Sequence, residues 1–253
     1  MASVLITGAS RGFGLALARE LSSRSETEIS KVFATARGDS SPLSELAAVS
    51  AGRVSVVQLD VTDEVSIRNA AGEVEKQLSG KGLDILINNA GVCQYVGDGV
   101  KSMDNLAESF TINVLGVHYV TRAFLPLLQQ GSLKKVANIT TSLASIALAR
   151  ASHDVPAPAY KISKAALHAL TVQYALDHEK DGFAFVAIAP GWMKTDLGGG
   201  DIADLTPEQG VKASLNILFR PNGEINGQFP KVFIPGWKNA TGRNVYDGTI
   251  VPW

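Results

Sequence analysis

The chain has 253 residues, 45% of them hydrophobic and 19% charged, with a formal net charge of −1. That balance excludes a disordered chain, and the lack of a basic block argues against a nucleic-acid partner. Cys93 is the single cysteine, no apolar run reaches the roughly 18–20 residues that span a bilayer, and Met1-Ala2-Ser3 leads straight into an apolar run, so the expectation is a disulfide-free cytoplasmic protein with no secretory leader and no membrane partner.

In chain order, short β-branched runs alternate with longer helix-period segments. A strand at 3–6 precedes a helix at 13–22, and a strand at 31–36 precedes a helix at 43–49. A strand at 54–59 is followed by a helix at 63–79, which Asp63 starts and Glu64 supports in its first turn. Further strands are expected at 84–87, 134–140, 183–188 and 231–234, with helices at 104–129, 157–178 and 207–218. The strands are apolar almost throughout, as strands covered on both faces are. Repeated β-α units with no linker predict one α/β domain over 1–253. It should be a doubly wound Rossmann-type domain with a mostly parallel sheet of about seven strands.

The first strand runs into Thr7-Gly8-Ala9-Ser10-Arg11-Gly12-Phe13-Gly14. Gly8 permits a tight turn, Gly12 lets the backbone approach a pyrophosphate, and Gly14 lets the helix pack closely on the sheet. The helix N-terminus then offers free N–H groups to an anion. A carboxylate at the end of the second strand would grip a ribose 2′-hydroxyl, but this chain reads Ala34-Thr35-Ala36-Arg37 there. Arg37 can take a 2′-phosphate with a charge-assisted fork, and Arg11 can reach the same group. The pair favours NADPH over NADH.

These segments, with others further along, resemble the short-chain dehydrogenase/reductase family over nearly the whole chain. Thr7–Gly14 resembles its glycine loop, Leu59-Asp60-Val61 its adenine-contacting segment, and Asn88-Asn89-Ala90-Gly91 its NNAG. Asn113 matches its helix asparagine, Tyr160-Lys161-Ile162-Ser163-Lys164 its YxxxK, and Pro190-Gly191 with Thr195 its nicotinamide-side loop. The stretch from Pro190 to Gly199 and the ending Tyr246-Asp247-Gly248-Thr249, closing on Pro252-Trp253, resemble the C-factor and sniffer-like carbonyl reductase branch. The resemblance implies that NADP(H) is held by Gly8, Ser10, Arg11, Gly12, Phe13, Gly14, Arg37, Asp60, Val61, Asn89, Ala90, Gly91, Tyr160, Lys164, Pro190, Gly191, Met193 and Thr195. It also implies a homodimer or homotetramer, with the dimer built on the helices that carry Asn113 and Tyr160.

Tyr160 and Lys164 stand four apart and share a helix face. A lysine ammonium beside a tyrosine favours the phenolate and lowers its pKa, which suits proton exchange with a carbonyl oxygen. By resemblance Lys164 also holds the nicotinamide ribose, and Asn113 positions a water. The family's Asn-Ile-Ser-Ser reads Asn138-Ile139-Thr140-Thr141 here, followed by Ser142. Thr141 takes the place of the substrate-orienting serine in strict register, and Ser142 takes it if the strand shifts; the chemistry is open to either. Both face the substrate only if the strand breaks.

Cys93, Gln94, Tyr95, the 143–158 loop, Trp192 and Met193 are expected to wall a pocket for a small hydrophobic carbonyl compound. The glycines at 198–200 read equally as a lid hinge or a plain loop. Tyr119, Tyr174 and Tyr246 read as packing residues, and the four histidines show no metal-ligand spacing. The expected activity is reversible reduction of a ketone or aldehyde. The alternatives are a catalytically silent NADP(H)-binding regulator, or a dehydratase or cyclase that uses the same pocket.

Overall fold

The computed structural model describes residues 1–237 and 244–253. Six parallel strands form one sheet: β1 (Ala2–Ile6), β2 (Ile29–Ala36), β3 (Val54–Gln58), β4 (Ile85–Asn88), β5 (Lys135–Ile139) and β6 (Ala184–Ile188). Their order is β3-β2-β1-β4-β5-β6. The order reverses between β1 and β4, where a doubly wound sheet opens a crevice at its strand ends. The helices that matter for the site are α1 (Gly12–Ser23), α2 (Ser41–Val49), α3 (Glu64–Leu78), α4 (Leu106–Phe110), α5 (Gly116–Gln130), α6 (Pro158–Asp177) and α7 (Pro207–Leu218). A short α8 (Asn222–Ile225) follows.

Strand residues alternate faces, and the core divides accordingly. Val4, Ile6, Val32, Ala34, Ile85, Ile87, Val186 and Ile188 pack toward Leu17 and Leu21 of α1 and Val211 and Leu215 of α7. Leu5, Phe33, Leu86 and Phe185 point the other way, toward Ile67 and Val74 of α3 and Phe124 and Leu127 of α5. Both faces are covered, which is why the strands read as continuous apolar runs. Each of these Val, Leu, Ile and Phe side chains, fully buried, contributes roughly 1.5–3 kcal/mol.

Asp63 caps α3 as expected, its Oδ1 accepting from Val65 N at 2.8 Å. Two expectations need correction. The helix placed over 104–129 is not regular: between α4 and α5 the chain widens into a π turn, Thr111–Leu115. Such a widening re-aims one side chain, here Asn113, without ending the helix.

The seventh strand, at 231–234, is not a regular strand. It survives as single bridges, Ala189 with Lys231 and Phe233 with Asp247. Pro230 has no N–H to give a ladder, so the segment joins β6 through isolated bonds such as Ala189 N to Pro230 O at 3.0 Å.

One buried carboxylate pins three parts of the fold. Asp84, just before β4, accepts from Ser3 N at 2.8 Å and from Ser3 Oγ at 3.2 Å. Its other oxygen accepts from Ser132 N at 2.8 Å and Ser132 Oγ at 2.7 Å. Burial opposes ionisation, but these hydrogen bonds outweigh it and hold the carboxyl below its ordinary 3.8. A lowered folded pKa adds stability above the unfolded value, and that stability is lost as pH falls through the folded one. Asp84→Ala is therefore expected to lower unfolding stability by about 2–4 kcal/mol at pH 7, with the deficit shrinking below pH ~4. Urea titrations at both pH values measure it.

Candidate active site

The ends of β1, β4, β5 and β6 surround a cleft of about 780 Å³. It is lined at one end by Gly8, Ser10, Arg11, Gly12, Phe13, Gly14, Arg37, Asp60 and Val61, and along its length by Asn89, Ala90 and Gly91. Thr141, Ser142, Tyr160 and Lys164 also line it, while Tyr95, Pro190, Gly191, Trp192, Met193 and Thr195 wall the remaining side. Asn113 does not line this cleft but lies buried behind it, and of the other expected walls Gln94 and the 143–158 loop apart from Leu143 and Val155 do not line it either.

The glycine loop is knotted to the end of β4. Thr7 Oγ1 accepts from Asn89 N and Ala90 N, each at 3.0 Å. Asn89 Nδ2 donates back to Thr7 O and Gly8 O, each at 2.9 Å. Gly14 packs inside this knot: a Cβ there would lie 2.4 Å from Gly8 O and 2.5 Å from Asn89 Nδ2. Arg11 precedes α1, and no side chain caps the helix. Its first N–H groups therefore stay open to an anion, the arrangement a pyrophosphate needs. Arg37 is exposed at the end of β2. Arg11 is exposed too, but its Nη1 meets Asp196 Oδ2 at 2.9 Å across the cleft. An exposed pair of this kind is weak, so Arg11 remains available to a phosphate.

The π turn drives Asn113 into the interior, fully buried. Its Oδ1 accepts from Val92 N at 2.9 Å, and its Nδ2 donates to Val92 O and Ser163 Oγ, each at 3.0 Å. Both amide hydrogens are thus used by the protein. Gly91 fits between this side chain and Lys164, since a Cβ would sit 3.0 Å from Asn113 Oδ1 and 3.5 Å from Lys164 Nζ. Lys164 Nζ donates to Ile139 O at 2.7 Å.

Tyr160 and Lys164 are both buried, one turn apart on α6. Burial pushes the Lys164 ammonium down to about 8. It pushes the Tyr160 hydroxyl well above its ordinary value, with Cys93 and Tyr95 adding to the shift. The expected lowering of Tyr160 by Lys164 is therefore corrected. The ammonium stands 6.0 Å from the ring centroid, and desolvation wins. Tyr160 is protonated at neutral pH, the form that donates. Burial also pushes the Cys93 thiol up to about 11, which leaves it a poor nucleophile.

The strand carrying Thr141 breaks instead of shifting register. β5 pairs evenly with β6 from Lys135 to Ile139, then gives way to a tight turn, Ser142–Ala144. Thr141 Oγ1 caps that turn, accepting from Leu143 N at 3.2 Å, which leaves its hydroxyl hydrogen to give. Ser142 follows, exposed. Both hydroxyl residues reach the cleft because the alternation of the strand has ended.

The model of the short chain dehydrogenase family matches residues 2–205. The chain belongs to that family. Its sequence is 38% identical over 172 residues to the C-signal protein of Myxococcus xanthus, covering 68% of this chain and 93% of that one. Its fold is similar to an NADPH-bound carbonyl reductase from chicken fatty liver, with TM-score 0.85, 30% identity, and 100% and 99% of the two chains covered. It is also similar to the carbonyl reductase Sniffer of Drosophila melanogaster, with TM-score 0.84, 25% identity and full coverage of both chains. No helix among the described residues is long and apolar enough to cross a membrane.

In this short-chain dehydrogenase the wall beyond Pro190 is held partly by Asp204 and Asn244, which the sequence did not single out, and by Tyr246 in a role the sequence did not assign it. Tyr246, read as packing, is buried with its hydroxyl at work: it donates to Asp204 Oδ2 at 2.6 Å and accepts from Trp192 N at 3.1 Å. Asn244 Nδ2 donates to the same Asp204 oxygen at 2.6 Å. Trp192 Nε1 donates to Gly198 O at 2.7 Å, and Gly198 N donates to Thr195 Oγ1 at 3.1 Å. The glycine turn at 198–200 is thus tied to the cleft wall. These partners are distant in sequence and lack a local motif, so only hydroxyl-bearing residues near the chain end hinted at them. Tyr246→Phe should lower stability by about 1–3 kcal/mol, since a half-buried carboxylate oxygen and a backbone N–H both lose a partner. Denaturant titration checks it.

Proposed function

We propose that the chain is an NADPH-dependent reductase that converts a ketone or aldehyde to an alcohol, reversibly. The observation that carries this reading is the buried Tyr160 one turn from Lys164 in the same cleft as an uncapped glycine-loop helix. The likeness to an NADPH-bound carbonyl reductase supports it.

The residues suit the cofactor. Open N–H groups at the start of α1 would take a pyrophosphate, Arg37 and Arg11 would flank a 2′-phosphate, and Gly14, packed against Gly8 O and Asn89 Nδ2, holds the helix close to the loop. Asp60, with Val61, stands at the adenine end, its carboxyl lowered by hydrogen bonds from Thr62 and by the Arg37 charge despite the opposing effect of burial. When bound, NADPH supplies a hydride.

The chain's own groups do the rest. Thr141 or Ser142 hydrogen-bonds the carbonyl oxygen and orients it toward Tyr160. Tyr160 gives its proton to that oxygen as the carbonyl carbon accepts the hydride, so the product is a neutral alcohol. Lys164, held by the Ile139 carbonyl, keeps a positive charge near the tyrosinate left behind and favours its formation at the moment of transfer. Tyr95 and Trp192 give the substrate side an aromatic wall, suited to a hydrophobic compound.

NADPH consumption across a panel of aromatic and aliphatic ketones and aldehydes tests the reading. Tyr160→Phe is expected to lower kcat by roughly 10²–10⁴-fold with NADPH binding retained. A wild type that binds NADPH tightly but turns over no member of the panel would point to a regulator instead. In the same assay Arg37→Ala should raise KM for NADPH about 10–100-fold, the worth of a charge-assisted phosphate contact, and leave KM for NADH almost unchanged.

A further inference from the structure

Beyond Lys164, α6 buries two more polar side chains that the proposed chemistry does not use, His168 and Thr171. His168 lies one turn further along the helix, 4% exposed. Its Nε2 is 2.7 Å from Thr140 Oγ1, which is also buried. Thr140 stands between the two residues on which the catalytic centre is built: Ile139, whose carbonyl holds Lys164, and Thr141, which faces the cleft. Burial and the nearby Lys164 charge push the imidazole down to about 3, so the ring stays neutral and can accept the threonine proton.

The outer side of the ring is clamped as well. His168 packs 4.0 Å from the Phe229 ring and 5.2 Å from Trp253, centroid to centroid. Trp253 O accepts from Ala147 N at 3.1 Å, and Pro252 O accepts from Ser145 Oγ at 2.6 Å. The stack thereby joins three parts of the centre: the helix that carries Tyr160, the end of β5, and the loop that follows Ser142.

We propose that His168 is a positioning residue: by holding Thr140 it sets where the Ile139 carbonyl meets Lys164 and where Thr141 faces the carbonyl compound, with Trp253 locking the stack to the 145–147 loop. This rests on the reductase reading above. A histidine that only fills the core would matter through its ring volume. A positioning histidine matters through Nε2, and the two roles separate experimentally.

The experiment is a double-mutant cycle of Thr140→Val and His168→Phe, with His168→Gln as the conservative variant. Phenylalanine keeps the ring and loses the hydrogen bond, whereas glutamine places a polar atom near the position of Nε2 and loses the ring. Each single variant is expected to lower kcat about 5–20-fold, with KM for NADPH changed less than threefold. The double variant should be no slower than the worse single, and His168→Gln should recover most of the rate. Losses that multiply in the double variant, or a His168→Phe enzyme as fast as wild type, would overturn the proposal. So would a loss that glutamine fails to restore while its thermal unfolding midpoint stays near that of wild type. NMR of the ¹⁵N-labelled Lys164 ammonium provides a readout that does not need turnover. Its signal should move in Thr140→Val and His168→Phe alike and return in His168→Gln; an unmoved signal counts against the brace. A wild type inactive on the carbonyl panel would overturn the reductase reading, and the lysine signal would still decide the brace.

Discussion

The Lys164 ammonium is 4% exposed, and the Ile139 carbonyl, 2.7 Å away, is the partner that holds it. Taking a cation out of water costs several kcal/mol even after the protein relaxes. That cost is tolerable because the carbonyl is aimed at it by the end of a central strand. The ammonium's pKa, about 8, shows how far burial has gone while the charge survives at neutral pH. Gly91, Asn113 and the break after β5 are all consistent with this arrangement. Gly91 leaves room beside the ammonium, Asn113 fixes the neighbouring Val92 backbone, and the end of β5 presents the carbonyl.

Beneath that centre runs a buried polar chain. Asn88 Nδ2 donates to Asn138 Oδ1 at 2.9 Å and to Thr121 Oγ1 at 3.1 Å, and Asn138 Nδ2 donates to Thr171 Oγ1 at 2.8 Å. It fastens β4 and β5, whose ends border the cleft, to α5 and α6. Apolar side chains in these places would pack without fixing the helices along the strand direction. Directional hydrogen bonds can fix that slide, which matters where a proton must pass between named atoms. Tyr160 belongs to the same logic. Desolvation keeps its proton in place, and an uncharged hydroxyl deep in a cleft is well placed to donate to a developing alkoxide.

Much of this was legible in the sequence because it follows from local rules. Continuous β-branched runs and helical periods determine a parallel sheet covered on both faces, and the spacing of Gly8, Gly12 and Gly14 after the first strand determines a phosphate-binding turn. Asp63 capped α3 as its residue type demands. Tyr160 and Lys164 share a face through helical geometry alone. Where the reading failed, a tertiary term had overridden a local one. The π turn at Thr111–Leu115 has no local sequence mark, since it exists to bury Asn113 against Val92 and Ser163. The run at 231–234 has strand propensity, yet Pro230 denies it a regular ladder.

The sequence by itself therefore determined the order of the elements, the glycine-rich turn after the first strand and the placing of Tyr160 and Lys164 on one helix face. These depend on periodicity, on residue type and on separations of a few positions. Only the tertiary structure decided the upward shift of the Tyr160 hydroxyl, because desolvation depends on what surrounds a group and not on what precedes it. Likewise it decided that Thr141 and Ser142 both reach the cleft, because where a strand ends is set by its neighbour's length. The bonds from Tyr246 to Asp204 and from His168 to Thr140 were also its decision, since each joins residues far apart in the chain that meet only once the sheet has closed around them.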